Sequence, residues 1–104
     1  MRRVVITGAG SVNALGLDVA ATCAALRDGR SGIGPLTCRD ADRLACRIGA
    51  EVRGFDPAAH FAPGQVARLD RFSQFALVAA RQAMAQANLP PDRAQLARAG
   101  VIIG

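Results

Sequence analysis

The sequence contains no lysine, no tryptophan and no tyrosine, and four phenylalanines supply its aromatic rings. Aromatic residues make up only 4% of the chain, so it offers no platform on which nucleic-acid bases would stack. All thirteen basic residues are arginines scattered along the chain, and we attribute the absence of lysine to genome composition. The net charge of +5 suits an acidic partner, but nucleic acid is not predicted to be that partner.

Long hydrophobic runs and paired cysteines are also missing. No apolar stretch approaches the ~20 residues of a membrane span, and the N-terminus lacks the apolar core of a signal peptide. Cys23, Cys38 and Cys46 show no C-x-x-C spacing, which argues against a zinc site and a disulfide framework. His60 stands alone beside Phe61. We therefore predict a cytoplasmic protein with reduced thiols, no metal site and no membrane segment, in which His60 is a loop or packing residue.

The start of the chain predicts a strand followed by a glycine-rich turn. Residues 4–6 are a β-branched run that predicts a strand buried on both faces, and Gly8 and Gly10 then permit a tight turn or a close approach. This turn is either a dinucleotide-binding turn or a structural one. The structural interpretation is favoured, because Asn13 stands where the fingerprint requires a third glycine and the helix begins only near Asp18. The acids further on do not end a second apolar strand; they are Asp28, Asp40 and Asp42.

Two helices and two more strands follow. Asp18 is a suitable N-cap for a helix that ends at Gly29, with Val19, Cys23 and Leu26 on its apolar face. Alternation over residues 46–53 predicts a half-exposed strand. Asp70 is expected to cap the longest helix, residues 71–87, which Asn88 ends. The predicted apolar stripe of that helix allows close packing on another element; it consists of Leu69, Phe72, Ala76, Ala79, Ala83 and Ala87, widened by Phe75 and Met84.

A helical turn at residues 92–97 leads to a last buried strand at residues 100–104. The order strand, helix, strand, helix, strand predicts an α/β sheet with right-handed crossovers. A buried strand at the end of the chain needs further layers to cover it, so we expect residues 1–104 to be the front of a larger domain.

Four blocks of this sequence resemble the N-terminal part of the elongating β-ketoacyl-acyl-carrier-protein synthases, condensing enzymes of the thiolase superfamily. A match to one block alone is weak evidence for the family. The third block is more specific than the others, and all four in this order and spacing are specific. The blocks are Arg3-Val-Val-Ile-Thr-Gly-Ala-Gly10 with Leu15-Gly16; Ala25-Leu-Arg-Asp-Gly-Arg-Ser-Gly-Ile33; Leu69-Asp-Arg-Phe-Ser-Gln-Phe-Ala76 with Ala79, Ala80 and Ala83; and Gly100-Val-Ile-Ile-Gly104.

The resemblance implies the βαβαβ front of a layered αβαβα fold, usually in a homodimer. It implies an acyltransferase that carries out decarboxylative Claisen condensation between an acyl-enzyme and malonyl-acyl carrier protein in fatty-acid or polyketide synthesis, with no organic cofactor. The nucleophilic cysteine and two histidines of the family are expected beyond residue 104. The segment alone is therefore expected to be inactive, with no catalytic residue of its own, and Gly8 and Gly10 are then structural.

One functional surface is expected within the segment. The family docks acidic acyl carrier protein with basic residues near the start of its second long helix, and Arg68 and Arg71 match that region. A solvated arginine pair, or a salt bridge of either arginine with Asp70, is the structural alternative. For the whole protein the alternatives are a non-catalytic partner of the same fold, such as a chain-length factor, and a dinucleotide-dependent oxidoreductase.

Overall fold

The computed structural model describes residues 1–88 and 97–103. Within them, helices supply most of the regular structure: α1 spans Val19–Arg27, α2 spans Pro63–Val66 and α3 spans Arg71–Ala87. Two short strands, β1 at Gly34–Pro35 and β2 at Ile48–Gly49, pair antiparallel. Short 3-10 turns lie at Ala41–Arg43 and Pro57–Ala59.

The limits of α1 follow from its caps, as predicted. The Asp18 carboxylate accepts a hydrogen bond from the Ala21 N–H at 2.7 Å. At the other end Gly29 takes a left-handed conformation (φ +63°), and the Arg30 N–H donates to the Ala25 carbonyl at 2.9 Å. This is a Schellman ending, which glycine adopts without the strain that a Cβ would cause. Of the predicted apolar face, Val19 and Cys23 are half-buried, but Leu26 is 63% exposed.

The bounds of α3 also agree with the prediction, but one cap differs. Asn88 ends the helix in the left-handed region (φ 50°). Asp70 occupies the N-cap position, yet its side chain makes no capping hydrogen bond, so the predicted side-chain cap is wrong. Next to this N-cap, the side-chain amide of the buried Gln74 donates a hydrogen bond to the Leu69 carbonyl at 3.0 Å.

Two faces of α3 differ in what covers them. The glycine-contact face, which comprises Ala79, Gln82, Ala83, Gln86 and Ala87, lies against residues 8–17. The open face lines an apolar groove of about 460 Å³ with Val101 and Ile103; its α3 residues are Phe72, Ser73, Ala76, Leu77 and Ala80. The predicted apolar stripe is thus divided between the two faces: Ala79, Ala83 and Ala87 pack, whereas Phe72 and Ala76 are exposed. Apolar residues surround most of the helix, so periodicity alone does not select the side that packs.

Gly8 and Gly10 lie directly on the backbone of α3. A Cβ at Gly8 would fall 2.9 Å from the Ala87 nitrogen, and one at Gly10 would fall 2.9 Å from the Gln82 Cβ. The Cβ at Gly8 would also overlap the Ala83 carbonyl oxygen, and the Cβ at Gly10 would overlap the Ala79 carbonyl oxygen. The predicted close approach of the alanine stripe to another element is confirmed, and that element is the glycine segment.

Three predicted strands do not form as expected. Residues 4–6 are highly exposed and belong to no strand, and the same is true of residues 101–103. A buried strand needs neighbouring strands and covering layers, and the described residues supply neither at these positions. The predicted turn at 92–97 and strand end at residue 104 lie largely outside the described residues.

The predicted strand at residues 46–53 is reduced to β2, and its predicted apolar face is not covered. Ile48 is 61% exposed and Ala50 is exposed, whereas Val52 packs at the edge of the core. The strand pairs antiparallel with β1 rather than in a parallel sheet. No layer of the described chain lies over Ile48, so alternation in sequence does not become burial.

The core is small and lies beside α3. Phe55, Phe61 and Val78 are buried, and partly buried residues pack around them: Val12, Leu17, Val52, Val66, Leu69 and Phe75. The accessible surface of 8532 Å² exceeds the about 5,500 Å² expected of a compact protein of this mass. The radius of gyration of 16.8 Å likewise exceeds the about 13 Å expected. Much of the apolar surface is therefore left uncovered by the segment itself.

Candidate functional site

The turn between α2 and α3 carries Arg68, the first predicted carrier-binding residue. We call residues 67–70 the docking turn. The Arg68 and Leu69 N–H groups both donate to the Gln65 carbonyl at 3.1 Å, and Gln74 holds the Leu69 carbonyl. The Arg68 side chain is exposed and forms no ion pair with any residue that the structure describes. A fixed backbone thus presents a guanidinium to solvent.

Arg71, the second predicted carrier-binding residue, has a different environment. Its guanidinium carbon lies 5.4 Å from the centre of the Phe55 ring and 5.1 Å from that of Phe75. Its Nη2 donates to the Val52 carbonyl at 3.4 Å. The two arginines lie on one short stretch, but among the described residues only Arg71 has cation–π contacts and a side-chain hydrogen bond. Neither arginine is paired with Asp70.

A second arginine of α3 repeats this arrangement further along the helix. Arg81 lies 4.9 Å from the centre of the Phe61 ring, and its Nη1 donates to the His60 carbonyl at 2.9 Å. Arg71 and Arg81 thus hold the two ends of residues 52–61, which we call the clamped segment. The sequence analysis missed Arg81, since no local pattern links it to an aromatic ring so far back along the chain.

His60 is a packing residue, as predicted. Its ring stacks on Phe55 at 5.3 Å between centroids and 18° between planes. Phe55 in turn meets Phe75 edge to face at 4.9 Å. Such aromatic contacts add about 1 kcal/mol each beyond buried area, so they help to fix the clamped segment on α3.

Two glutamines of α3 bind the backbone of the glycine turn. Gln86 Oε1 accepts from the Ala9 N–H at 2.7 Å, and Gln82 Oε1 accepts from the Ser11 N–H at 3.0 Å. Gln82 Nε2 also donates to the Leu17 carbonyl at 2.7 Å. The sequence analysis missed both residues, although their spacing of four beside the alanine stripe was the available signal.

These contacts exclude a pyrophosphate on this turn. A dinucleotide site needs backbone N–H groups that point at the ligand, but here those of Ala9 and Ser11 are bonded to glutamines. The two glycines face the α3 backbone rather than a cleft. Asn13 closes the turn by accepting from the Leu15 and Gly16 N–H groups. The turn is therefore structural, and the dinucleotide alternative is rejected.

The three cysteines lie in different parts of the fold and differ in exposure. Cys23 is half-buried within α1, whereas Cys38 and Cys46 are exposed in the connection between β1 and β2. In residues 1–88 and 97–103 no three histidine, cysteine or acidic side chains form a group that could hold a metal. None of the three cysteines begins a helix.

Glu51 closes the loop between the two strands. Its carboxylate accepts from the N–H and the hydroxyl of Thr37, both at 2.8 Å, and from the Cys38 N–H at 2.9 Å. The Thr37 N–H, then the Thr37 hydroxyl, hold the pKa of Glu51 below its ordinary value of 4.5, with smaller contributions from the Cys38 N–H and from Arg53. The ionised form therefore stabilises this loop.

Across the part of the chain that the structure describes, every helix is too short or too polar to pass through a bilayer.

Comparison with known proteins gives one consistent family. The family model described as "Beta-ketoacyl synthase, N-terminal domain" matches residues 1–104. The chain is 44% identical over 103 residues to 3-oxoacyl-acyl-carrier-protein synthase 2 of Coxiella burnetii, and 42% identical over 103 residues to nodulation protein E of a Rhizobium species. Each match covers 99% of this chain and 25% of the relative. The chain thus spans about a quarter of the length of these relatives.

A solved structure supports the same fold. The ishigamide ketosynthase/chain length factor superposes with a TM-score of 0.74 at 37% sequence identity. The superposition covers 86% of this chain and 22% of that one. The predicted fold class is confirmed, because the path of the backbone is that of the N-terminal part of a thiolase-like ketosynthase. Residues 4–6 and 101–103 follow this path without pairing as strands.

Proposed function

Because this chain belongs to the β-ketoacyl synthases, whose N-terminal domain it matches over residues 1–104, we propose that the whole protein is a condensing enzyme. In its reaction an acyl group is held as a thioester on an enzyme cysteine. Malonyl-acyl carrier protein loses carbon dioxide, and the carbanion so formed attacks the thioester carbonyl. The products are β-ketoacyl-carrier, carbon dioxide and the free thiolate. The family match across the entire segment carries this proposal.

The segment itself is proposed to be scaffold. Its cysteines lie within α1 or in the exposed β1–β2 connection, which does not suit the nucleophile of the reaction. The bare open face and the surface excess support a segment that is the front of a larger domain. We expect the nucleophilic cysteine and both histidines in the remainder of the polypeptide. A homodimer and a cytoplasmic location belong to the same proposal.

The proposed carrier site is the docking turn with the exposed guanidinium of Arg68, and Arg71, the first residue of α3, follows three residues later. The carrier's acidic surface and its phosphopantetheine phosphate are anionic, and an arginine on a fixed turn binds such groups with charge-assisted hydrogen bonds. The relatives named as acyl-carrier-protein synthases support this choice of partner.

The direct test is an assay of the full-length protein with acyl-carrier and malonyl-carrier substrates. We expect carbon dioxide release coupled to formation of β-ketoacyl-carrier, and loss of the β-ketoacyl product after alkylation of one cysteine outside residues 1–104. Condensation that persists after that alkylation, or a protein that forms no β-ketoacyl product, contradicts the proposal.

A second function has specific support, because one structural neighbour is named as a ketosynthase/chain length factor. A chain-length-factor-type partner of the same fold lacks the cysteine nucleophile. The residue at that position in the full-length protein separates the two functions. A non-cysteine residue there, together with activity only after mixing with a true ketosynthase, establishes the partner role.

A further inference from the structure

We propose that Arg71 positions the docking turn rather than binding the carrier, so that Arg68 alone makes the ionic contact. This inference rests on the proposed function, because it assigns separate roles to two residues of the same carrier site. It follows from the difference between the two guanidinium groups. One is held by two aromatic rings and a backbone carbonyl, and the other faces solvent.

The contacts of Arg71 tie its guanidinium to the protein, although the residue itself is exposed. Its guanidinium lies near the rings of Phe55 and Phe75, at 5.4 and 5.1 Å, and one of its nitrogens donates to the Val52 carbonyl. An anionic partner that bound this group would have to compete with these contacts. Arg68 has no ionic partner among the described residues, so its binding to an anion displaces only water.

The clamped segment in turn supports the docking turn. Phe55 and Phe61, near its two ends, form the buried cluster against which Val66 and Leu69 pack. These two residues flank Arg68 on either side. The 3-10 turn at Pro57–Ala59 also contacts α2. Arg71 holds the Phe55 side of this support and is also the residue that directly follows the docking turn, so loss of its contacts acts on Arg68 from both places.

Arg81 provides a matched comparison within the same helix. It makes the same kinds of contact, one ring at 4.9 Å and one backbone carbonyl at 2.9 Å, at the opposite end of the clamped segment. It lies ten residues after Arg71, or about 15 Å along the helix axis, at the 1.5 Å rise per residue of an α-helix. Loss of either clamp costs stability, but only that of Arg71 acts beside the docking turn.

The experiment measures the full-length enzyme with two substrates, an acyl-carrier thioester and a free acyl-pantetheine thioester. Lysine keeps the charge of Arg71 but lacks the planar, weakly hydrated group that stacks on rings. We expect Arg71→Lys and Arg71→Gln each to raise the KM for acyl-carrier by about two- to fivefold, the range that one exposed cation–π contact supports. The kcat, and kcat/KM with acyl-pantetheine, should change less than twofold.

The control is Arg81→Gln, which should lower the melting temperature as Arg71→Gln does and leave the KM for acyl-carrier within twofold of wild type. Two results overturn the inference. One is a wild-type KM in Arg71→Lys with a raised KM in Arg71→Gln, which indicates direct charge contact. The other is an equal rise in KM for Arg81→Gln, which indicates general loosening.

Arg68→Gln separates this inference from the proposed function. A raised KM for acyl-carrier in Arg68→Gln with a wild-type KM in Arg71→Lys overturns the positioning role alone. An unchanged KM in Arg68→Gln removes the carrier site itself. Should the Arg71 variants fail to fold, Phe75→Leu removes one ring and keeps the arginine. It should raise the same KM, and an unchanged value counts against the inference.

Discussion

The glycine-contact face and the open face of α3 differ in how far the described residues cover them. On the glycine-contact face, backbone lies on backbone at Gly8 and Gly10, and two glutamines bond the opposing turn. On the open face, Phe72 is 69% exposed and Leu77 is 41% exposed beside Val101 and Ile103. The described residues therefore pack against one side of α3 and leave the other side largely exposed.

This difference indicates which interactions are local to the segment. The glycine-contact face is specified by polar partners and by the absence of side chains, so it has one geometry. Apart from Ser73, the open face carries apolar side chains, and burying them against another surface stabilises the fold. In the full-length protein, substitutions on the two faces should therefore have different effects.

The largest effect is expected on the open face. If the rest of the domain covers Phe72, as we propose, Phe72→Ala should lower the free energy of unfolding by about 3 kcal/mol through lost burial and a residual cavity. Denaturant unfolding measures this change. Ala85→Ser, an exposed position on the same helix, is the control and should change it by less than about 0.5 kcal/mol. A Phe72→Ala effect as small as that of the control means the face stays exposed.

On the glycine-contact face the sensitive change is an added methyl group. Gly10→Ala should cost about 2–3 kcal/mol, since the new Cβ overlaps the α3 backbone, and overpacking has costs of this size. Thermal or denaturant unfolding detects it. Gly64→Ala is the matched control, because nothing lies within 4 Å of that position and alanine favours the helix. Equal stability of the two variants would show that the turn does not press on α3.

The carboxamide contacts come next in size. Gln82→Met keeps the length of the side chain but leaves the Ser11 N–H and the Leu17 carbonyl without their partner, at a cost of about 2 kcal/mol. Gln86→Met removes one exposed hydrogen bond and should cost about 0.5–1 kcal/mol. The order of these two effects is the measured quantity. A larger loss of stability for Gln86→Met than for Gln82→Met would contradict this order.

The smallest effect is far from α3, at Glu51. Its pKa is lowered in the folded protein, so it contributes stability above its ordinary value of 4.5, and this is lost as the pH falls through the folded pKa. Melting temperatures between pH 7 and pH 3 should therefore fall less steeply for Glu51→Gln than for the wild type. Parallel curves would show that the carboxylate does not hold the Thr37 loop.

Local features were predictable because local residues cause them. Asp18 and Gly29 bound α1, and Asn88 ends α3, since each acts within one turn of the chain. The role of His60 as a packing residue was also correct. The strands failed for the opposite reason: residues 4–6 have strand-forming side chains, but a strand needs partners that the described residues do not supply.

The candidate site was predictable only in part. Sequence located Arg68 and Arg71 by resemblance, but it could not separate them. Their difference depends on Phe55 and Val52, which fold back onto α3 from an earlier part of the chain. Gln82 and Gln86 were missed for the same reason, because their partners are backbone groups that any sequence would carry.

The contact of Gly8 and Gly10 with α3 limits how this gene can vary. Any amino-acid replacement at either codon adds a Cβ, which would overlap the backbone of α3. No side-chain change on the helix would compensate, because the overlapping atoms are the backbone carbonyl oxygens of Ala83 and Ala79. A saturation library of the gene should therefore be depleted of nearly every allele at these two codons, while codons for the exposed loop at residues 37–45 accept many.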